Sequence, residues 1–213
     1  MTCLHSQKDL DASLARLVAL DPRLAGLVSP CGAIALRRQP AGLEGLLQII
    51  LAQQVSVASA RAIWQKFTDR FPRCDTRLLM EASEEDLRAC TLSRPKIRTV
   101  MRIMAAIRDG FDFDGLADDE PEVIRRTLIA LHGVGPWTAD VYLLFCLGRA
   151  DVFPAGDLAL QVAVADALGL DGRPSEKQLA AMAEELWAPE RGAAAHLFWA
   201  HYRVIKKGRE GIL

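Results

Sequence analysis

The sequence contains no run of about 18 apolar residues, the shortest length expected of a transmembrane helix. Its first 20 residues also lack the apolar segment of a secretory signal peptide, because charged side chains are scattered through them. These charged residues are Lys8, Asp9, Asp11 and Arg16. The absence of both features predicts a cytoplasmic protein that does not contact a membrane.

Cysteine is scarce and is not arranged in motifs. The five cysteines lie far apart, are odd in number and form no CxxC pair. This pattern argues against a disulfide framework and against a zinc or iron–sulfur site. We therefore expect buried free thiols at Cys3, Cys31, Cys74, Cys90 and Cys146.

A large excess of positive charge is also missing, since the formal net charge is -1. A chain of this composition could bind nucleic acid only if its basic residues were segregated on one face. The sequence permits such segregation: acidic residues crowd positions 109–122, and basic residues gather at 37–38, 94–102 and 203–209. Taken alone, each of these clusters is better explained as a solvated face than as a binding site.

Alternation of apolar and polar residues with a period of two is never sustained, whereas apolar residues recur at helical spacing throughout. Ser83, Ser175 and Asp119 stand where helices should begin, because such side chains accept hydrogen bonds from first-turn amides. We predict an all-α fold with helices at about 8–20, 43–54, 57–71, 84–90, 95–109, 120–131, 137–147, 158–168, 176–187 and 191–205.

Two of these helices, 137–147 and 158–168, are apolar on almost every face, which is typical of helices at the centre of a fold. A GxG turn, Gly133-Val-Gly135, leads directly into the first of them. Glycine allows backbone amides to approach a phosphate closely, so this turn could bind nucleic-acid backbone. A simple helix–helix turn with glycine as the C-cap remains open.

Asp157 stands at the start of the second apolar helix. The preceding ten-residue helix rises about 15 Å and the nine-residue linker can reach about 30 Å, so the chain can return Asp157 to the side of the GxG turn. Asp157 could be an ordinary N-cap, a fixed negative charge at a nucleic-acid surface, or both.

Gln53 and Gln54 interrupt an apolar helical face directly after Ile49-Ile-Leu51. Two amide side chains at this point could contact a polar ligand, or they could simply form a polar helix end. The residues themselves leave the two alternatives open.

Taken together, LLQIILAQQVSVASARAIW, LHGVGPWTADVYLLF and DVFPAGD resemble the helix-hairpin-helix (HhH-GPD) DNA glycosylase superfamily, with most similarity to the bacterial 3-methyladenine DNA glycosylase II branch. The resemblance implies a two-lobed all-α fold with its active-site cleft between the lobes. It also implies one glycosylase domain over 1–213, with an N-terminal helical extension (1–42), a core (43–202) and a hairpin (129–138).

The same resemblance assigns roles to individual residues. Asp157 would be the catalytic carboxylate. The substrate pocket would include Trp137, Tyr142, Gln53 and Gln54, with Gln54 filling the space left by a flipped nucleotide. The hairpin would bind DNA through His132, Gly133, Val134, Gly135 and Thr138. A structural Na⁺ or K⁺ would be held by backbone carbonyls of Ile129, Leu131 and Val134.

The sequence departs from the superfamily pattern at several positions. Trp137 stands where bifunctional relatives carry a Schiff-base lysine, and no cysteine follows Cys146, so neither lyase chemistry nor an iron–sulfur cluster is expected. Glu190 and Val141 replace two pocket aromatics of the branch, which could alter the range of substrates.

The expected function is therefore monofunctional excision of alkylated purines, of the 3-methyladenine and 7-methylguanine type, from flipped nucleotides in base excision repair. The expected partner is double-stranded DNA containing damaged bases, bound by a nucleoid-associated bacterial monomer that requires no cofactor. The alternatives are a glycosylase for deaminated purines, a non-catalytic DNA-binding hairpin module and a helical protein-interaction domain.

Overall fold

The computed structural model describes residues 2–206, and this part of the chain is helical. Its thirteen α-helices are α1 (Gln7–Leu20), α2 (Ala25–Cys31), α3 (Leu43–Ala52), α4 (Val57–Arg70), α5 (Thr76–Glu81), α6 (Glu84–Ala89), α7 (Arg94–Arg108), α8 (Phe113–Leu116), α9 (Pro121–Ile129), α10 (Pro136–Val141), α11 (Leu158–Leu168), α12 (Glu176–Trp187) and α13 (Arg191–Ile205). Between residues 2 and 206 there is no β-strand, only an isolated bridge between Cys3 and Arg149. The all-α prediction is confirmed.

All ten predicted helices are present, and the sequence analysis missed only α2, α5 and α8. These three are short, with seven, six and four residues, so each has too few turns for its periodicity to stand out. The prediction for 137–147 needs one correction. Helix α10 ends at Val141, and Tyr142–Cys146 continues as a π-helix.

Helix starts follow the local chemistry in most cases. Ser83 and Ser175 both form capping boxes. In each box the serine hydroxyl accepts a hydrogen bond from the backbone amide three residues later, and the side chain of that later residue accepts one from the serine amide. The start of α9 differs from the prediction, because Glu120 rather than Asp119 occupies the N-cap position and Pro121 is the first helical residue. Proline suits the first helical position because it has no N–H group that would need a hydrogen-bond partner there.

The described residues form two compact units. Of the residues that the structure describes, 2–38 and 143–206 form the first unit, and Gln39–Tyr142 forms the second. The predicted N-terminal extension, 1–42, is therefore not separate from the rest of the chain: its residues 2–38 belong to the first unit, where Leu4, Leu10 and Leu17 are fully buried.

Helix α13 is the centre of the first unit and packs against α1, α2, α11 and α12. Its side chains from Ala193 to His201 are all buried. Trp187 and Phe198 pack together with 4.8 Å between ring centroids, and the Trp187 indole donates to Asp21. Burial of these large aromatic surfaces stabilises this unit.

The second unit holds α3 to α10. Helix α3 packs on α4, α7 and α10, and α9 packs on α10. Leu46, Leu47, Phe67, Val100 and Leu128 are fully buried in its core. Within residues 2–206 no helix combines the length and apolarity needed to cross a membrane.

Three of the five cysteines, Cys74, Cys90 and Cys146, are buried free thiols, as predicted. Burial raises the pKa of Cys74 and of Cys146 to about 12, so these two remain protonated near neutral pH. Cys3 and Cys31 are only half-buried, which corrects the prediction for this pair.

Candidate functional site

The GxG segment forms a tight turn between α9 and α10 in the second unit. The Val134 amide donates to the Leu131 carbonyl at 3.1 Å, and Gly133 has a φ of +82°. His132 and Gly133 are exposed, whereas Val134 and Thr138 are buried. The turn therefore presents its backbone at His132 and Gly133 while Val134 anchors it in the core.

Glycine at position 133 is required for two reasons. Its positive φ is unfavourable for residues with a Cβ, and a Cβ at this position would lie 2.2 Å from Oγ1 of Thr99. The hairpin is thus packed directly against α7. Sequence reasoning recognised the turn but not Thr99, because no local pattern links residues this far apart.

Gln53 and Gln54 lie just beyond α3, which ends at Ala52, rather than on the helix as predicted. The Gln53 side-chain amide donates to Oγ1 of Thr138 at 2.8 Å and so connects the end of α3 to α10. Gln54 is exposed and has a φ of +56°, in the left-handed region that few residues other than glycine adopt. The two side-chain amides therefore differ: that of Gln53 is hydrogen-bonded within the protein, and that of Gln54 is exposed to solvent.

Lys96 holds this turn in place and was missed by the sequence analysis, which treated it as part of a basic cluster. Its ammonium group donates to the carbonyls of Leu51 and Gln53, at 2.8 and 2.9 Å. These carbonyls lack partners within α3 because the helix ends there, and a cation is favourable at a helix C-terminus. Desolvation by burial lowers the pKa of Lys96.

The two aromatic residues predicted for the pocket differ in exposure. Trp137 is half-buried, near the start of α10. Tyr142 is almost fully buried at 1% exposure, and its hydroxyl accepts a hydrogen bond from the Gly42 amide at 2.9 Å. Of the two, Trp137 has the surface needed to contact a ligand.

Asp157 is buried at 4% exposure in the first unit and is the N-cap of α11. Its Oδ1 accepts hydrogen bonds from the amides of Ala159 and Leu160, at 2.9 and 3.1 Å. The indole nitrogen of Trp199 donates to the same oxygen at 3.3 Å. Three donors on one oxygen fix the orientation of the carboxylate, so the capping role is confirmed and a rigidly held acid is present.

Trp199 is itself held in place by neighbours from the first unit. The Arg37 guanidinium lies 5.4 Å from the centre of its ring, and Phe145 packs at a centroid distance of 5.3 Å. His196 accepts from the Arg37 amide at 3.3 Å, and its Nδ1 lies 2.7 Å from the Gly192 carbonyl. Burial lowers the pKa of His196 to about 4, so its imidazole is neutral near neutral pH.

Glu190, expected to replace a pocket aromatic, is only 6% exposed and immediately precedes α13. Its carboxylate accepts hydrogen bonds from the Ser13 hydroxyl and from the guanidinium of Arg16. Glu190 thereby joins α1 to α13 in the first unit, and its negative charge is matched by Arg16.

Among the residues that the structure describes, no group of three or more His, Cys, Asp or Glu side chains could bind a metal ion. The predicted cation ligands are backbone carbonyls, which form a different kind of site. The Leu131 carbonyl accepts one hydrogen bond in the hairpin turn and keeps its second lone pair, so the residues present are compatible with a monovalent cation.

Comparisons with known proteins agree with this arrangement of helices and turns. Residues 47–189 match the family model described as "HhH-GPD superfamily base excision DNA repair protein". The chain is 27% identical to the alkylbase DNA glycosidase-like protein mag2 of Schizosaccharomyces pombe, over 95% of this chain and 99% of the relative. It is 28% identical to the putative DNA-3-methyladenine glycosylase YfjP of Bacillus subtilis, over 72% of this chain but only 56% of the relative.

The chain is also similar in structure to a solved glycosylase. The 3-methyladenine DNA glycosylase Mag1 of Schizosaccharomyces pombe, determined in complex with abasic DNA, matches with a TM-score of 0.78 and 26% identity. The match covers 92% of this chain and 97% of that one. The fold is therefore similar over most of both chains.

Proposed function

Because the chain belongs to the HhH-GPD superfamily of base excision DNA repair proteins, we propose that it is a monofunctional DNA glycosylase that removes alkylated purines. The observation that supports this proposal most directly is the carboxylate of Asp157. It is buried, and three hydrogen-bond donors fix one of its oxygens at the start of α11. A preorganised negative charge of this kind can stabilise a cationic transition state.

The substrate class follows from the relatives and from charge. Proteins named for alkylbase or 3-methyladenine excision are among the matches in both sequence and structure. Purines alkylated at N3 or N7 carry positive charge, which weakens the glycosidic bond and favours contact with an aromatic face. The half-buried indole of Trp137 is a suitable surface for such a base.

Access to the bond requires that the nucleotide leave the base stack, which costs a few kcal/mol and less at a damaged pair. Gln54 is the residue that would fill the resulting gap. Its side chain is exposed on a turn held by Lys96 and by the contact between Gln53 and Thr138. A rigid turn of this kind is suited to a wedge because it loses little freedom on binding.

Chemistry would then proceed by hydrolysis. As the bond between C1′ and the purine nitrogen breaks, its electron pair leaves with the base and positive charge develops on the deoxyribose. The carboxylate of Asp157 stabilises that charge and orients the water that attacks C1′. The water proton is released, and the products are a free purine and an abasic site.

The proposed reaction has no lyase step. Trp137 stands at the position where bifunctional relatives have a lysine, and an indole cannot form a Schiff base. His132, Gly133 and Gly135 of the hairpin would contact the DNA backbone, while the buried Val134 and Thr138 would hold the hairpin in place. A monovalent cation, if bound, would be held by the carbonyls of Ile129, Leu131 and Val134 and would add positive charge near a phosphate.

The test is the substitution Asp157→Asn. Asparagine is as good an N-cap as aspartate, so the fold should be retained while the negative charge is lost. We expect single-turnover release of 7-methylguanine and 3-methyladenine from duplex DNA to fall at least about a hundredfold, with duplex affinity nearly unchanged. Asp166→Asn is the matched control, since Asp166 lies on the same helix and its side chain is 52% exposed.

Base release by Asp157→Asn at a rate close to that of the unsubstituted protein would refute the assignment. If the unsubstituted protein binds duplex DNA but releases no base from any lesion, a non-catalytic hairpin module is indicated instead. A panel of duplexes that includes hypoxanthine would distinguish alkylated from deaminated purines. Heating the products with alkali reveals the abasic sites, and strand cleavage without alkali would indicate lyase activity.

A further inference from the structure

Helix α7 in the second unit is strongly basic and contains no acidic residue. Three of its arginines, Arg94, Arg98 and Arg102, recur every four residues and therefore lie along one side of the helix. We call these three residues the α7 arginine stripe. All three are exposed, and within residues 2–206 none of them forms an ion pair or a side-chain hydrogen bond.

An ordinary solvated helix face would normally place acidic residues beside such arginines. This is what happens elsewhere in the second unit, where Arg88 pairs with Glu84, Arg70 with Asp86, and Arg125 with Asp140. The α7 arginine stripe has no such partners. Its positive charge is thus left available in a chain whose net charge is -1.

The direction of the stripe is fixed by packing. Ile97, Val100 and Ile103 are buried on the opposite side of α7. Thr99, three residues before Arg102, is the side chain that closely approaches Gly133 of the hairpin. Since residues three apart are neighbours on a helix surface, the Arg102 end of the stripe lies beside the hairpin contact.

We propose that the α7 arginine stripe binds backbone phosphates of double-stranded DNA next to the phosphates bound by the hairpin. This inference rests on the proposed function, because it takes the hairpin to be a DNA-binding element. Four residues of helix rise about 6 Å, so the stripe extends about 12 Å, a length over which duplex DNA carries roughly seven phosphates. Guanidinium groups are well suited to phosphate oxygens.

The positive charge of the stripe and the neighbouring hairpin favour duplex DNA over an acidic protein as the partner. Phosphate contacts carry no sequence information, so the stripe should increase affinity for damaged and undamaged duplexes equally. It should do so in a strongly salt-dependent manner, because each arginine that neutralises a phosphate releases a counterion.

The experiment compares R94Q/R98Q/R102Q with the unsubstituted protein by measuring Kd for an undamaged duplex across a range of NaCl concentrations. The slope of log affinity against log salt should become less steep by about 0.9 for each lost contact, or about 2.7 in total. At low salt the affinity should fall at least about tenfold. The single variant R98Q should lower the slope by about 0.9, which keeps the test valid if the triple variant folds poorly.

The charge-matched control is K8Q/R173Q/K177Q, which removes three exposed cations from the first unit. It should leave the slope unchanged. An unchanged slope in the stripe variants would refute the proposal, and an equal loss in the control would show that only net charge matters and would refute it as well. These measurements use binding alone, so absence of base release by the unsubstituted protein would contradict the proposed function without affecting this test.

Discussion

The indole nitrogen of Trp199 donates a hydrogen bond to Oδ1 of Asp157 across 3.3 Å, joining residues that are 42 positions apart in the sequence. Trp199 is buried at 3% exposure in α13, and Asp157 is at the start of α11, which packs on α13. The orientation of the proposed catalytic carboxylate is therefore set by tertiary packing as well as by its local capping bonds.

Substituting Trp199→Phe should remove this donor while keeping an aromatic ring in contact with Phe145. We expect single-turnover base release to fall about tenfold, equivalent to about 1.4 kcal/mol, because one of three restraints on the carboxylate is lost. Duplex affinity should change little. Quench-flow kinetics on a 7-methylguanine duplex would measure this, and an unchanged rate would show that the two amides of α11 suffice to orient Asp157.

Gln54→Gly should increase the free energy of unfolding and should reduce the discrimination between damaged and undamaged duplexes. The left-handed backbone at residue 54 costs a residue with a side chain about 1 kcal/mol, which glycine avoids. Loss of the side chain should weaken binding of damaged duplex more than binding of undamaged duplex. Thermal unfolding and paired titrations would test both parts. Gln54→Ala is the control that removes the side chain but retains the strain, and equal losses of affinity on both duplexes would argue against a wedge.

Gly133→Ala should disrupt the hairpin through its contact with Thr99. The added Cβ would lie 2.2 Å from Oγ1 and 2.8 Å from Cγ2 of Thr99, on a backbone with positive φ. We expect a loss of about 2–3 kcal/mol in the free energy of unfolding, together with weaker duplex binding. Thr99→Ala removes both of these atoms, so the double variant should be more stable than Gly133→Ala alone. Simple additivity in urea unfolding would show that the two residues are not coupled.

Stability should fall in mild acid because of His196. Its pKa drops from 6.5 to about 4 on folding, so between these values the unfolded chain binds a proton that the folded chain does not. Above pH 6.5 His196 is neutral in both states and the free energy of unfolding does not depend on its titration. As the pH falls from 6.5 to about 4, the free energy of unfolding decreases by about 3 kcal/mol in all. The His196→Gln variant should have a lower free energy of unfolding than the unsubstituted protein at pH 7. Its free energy of unfolding should decrease less when the pH is lowered. Urea unfolding at pH 7, 5 and 4 would measure the difference, and parallel losses in both proteins would exclude His196 as the titrating group.

The local parts of the site were accessible from sequence. The glycine turn before α10 and the position of Asp157 at a helix start depend on residues only a few positions apart, and so do the capping boxes at Ser83 and Ser175 elsewhere in the fold. Such features follow from backbone chemistry within one or two turns. The ends of α3 and α10 were less accurate, because a positive φ at Gln54 and a π-helix after Val141 are imposed by surrounding structure.

The sequence by itself therefore determined the helical class, every helix longer than seven residues, the hairpin and the acid that follows it. Only the tertiary structure decided that Trp199 meets Asp157, that Thr99 meets Gly133 and that Lys96 caps the turn before Gln54. The physical reason is the separation along the sequence of the residues that interact. Helix periodicity and capping arise from neighbouring residues, whereas these contacts arise where buried faces of separate helices pack together, and no local pattern encodes which side chains will then meet.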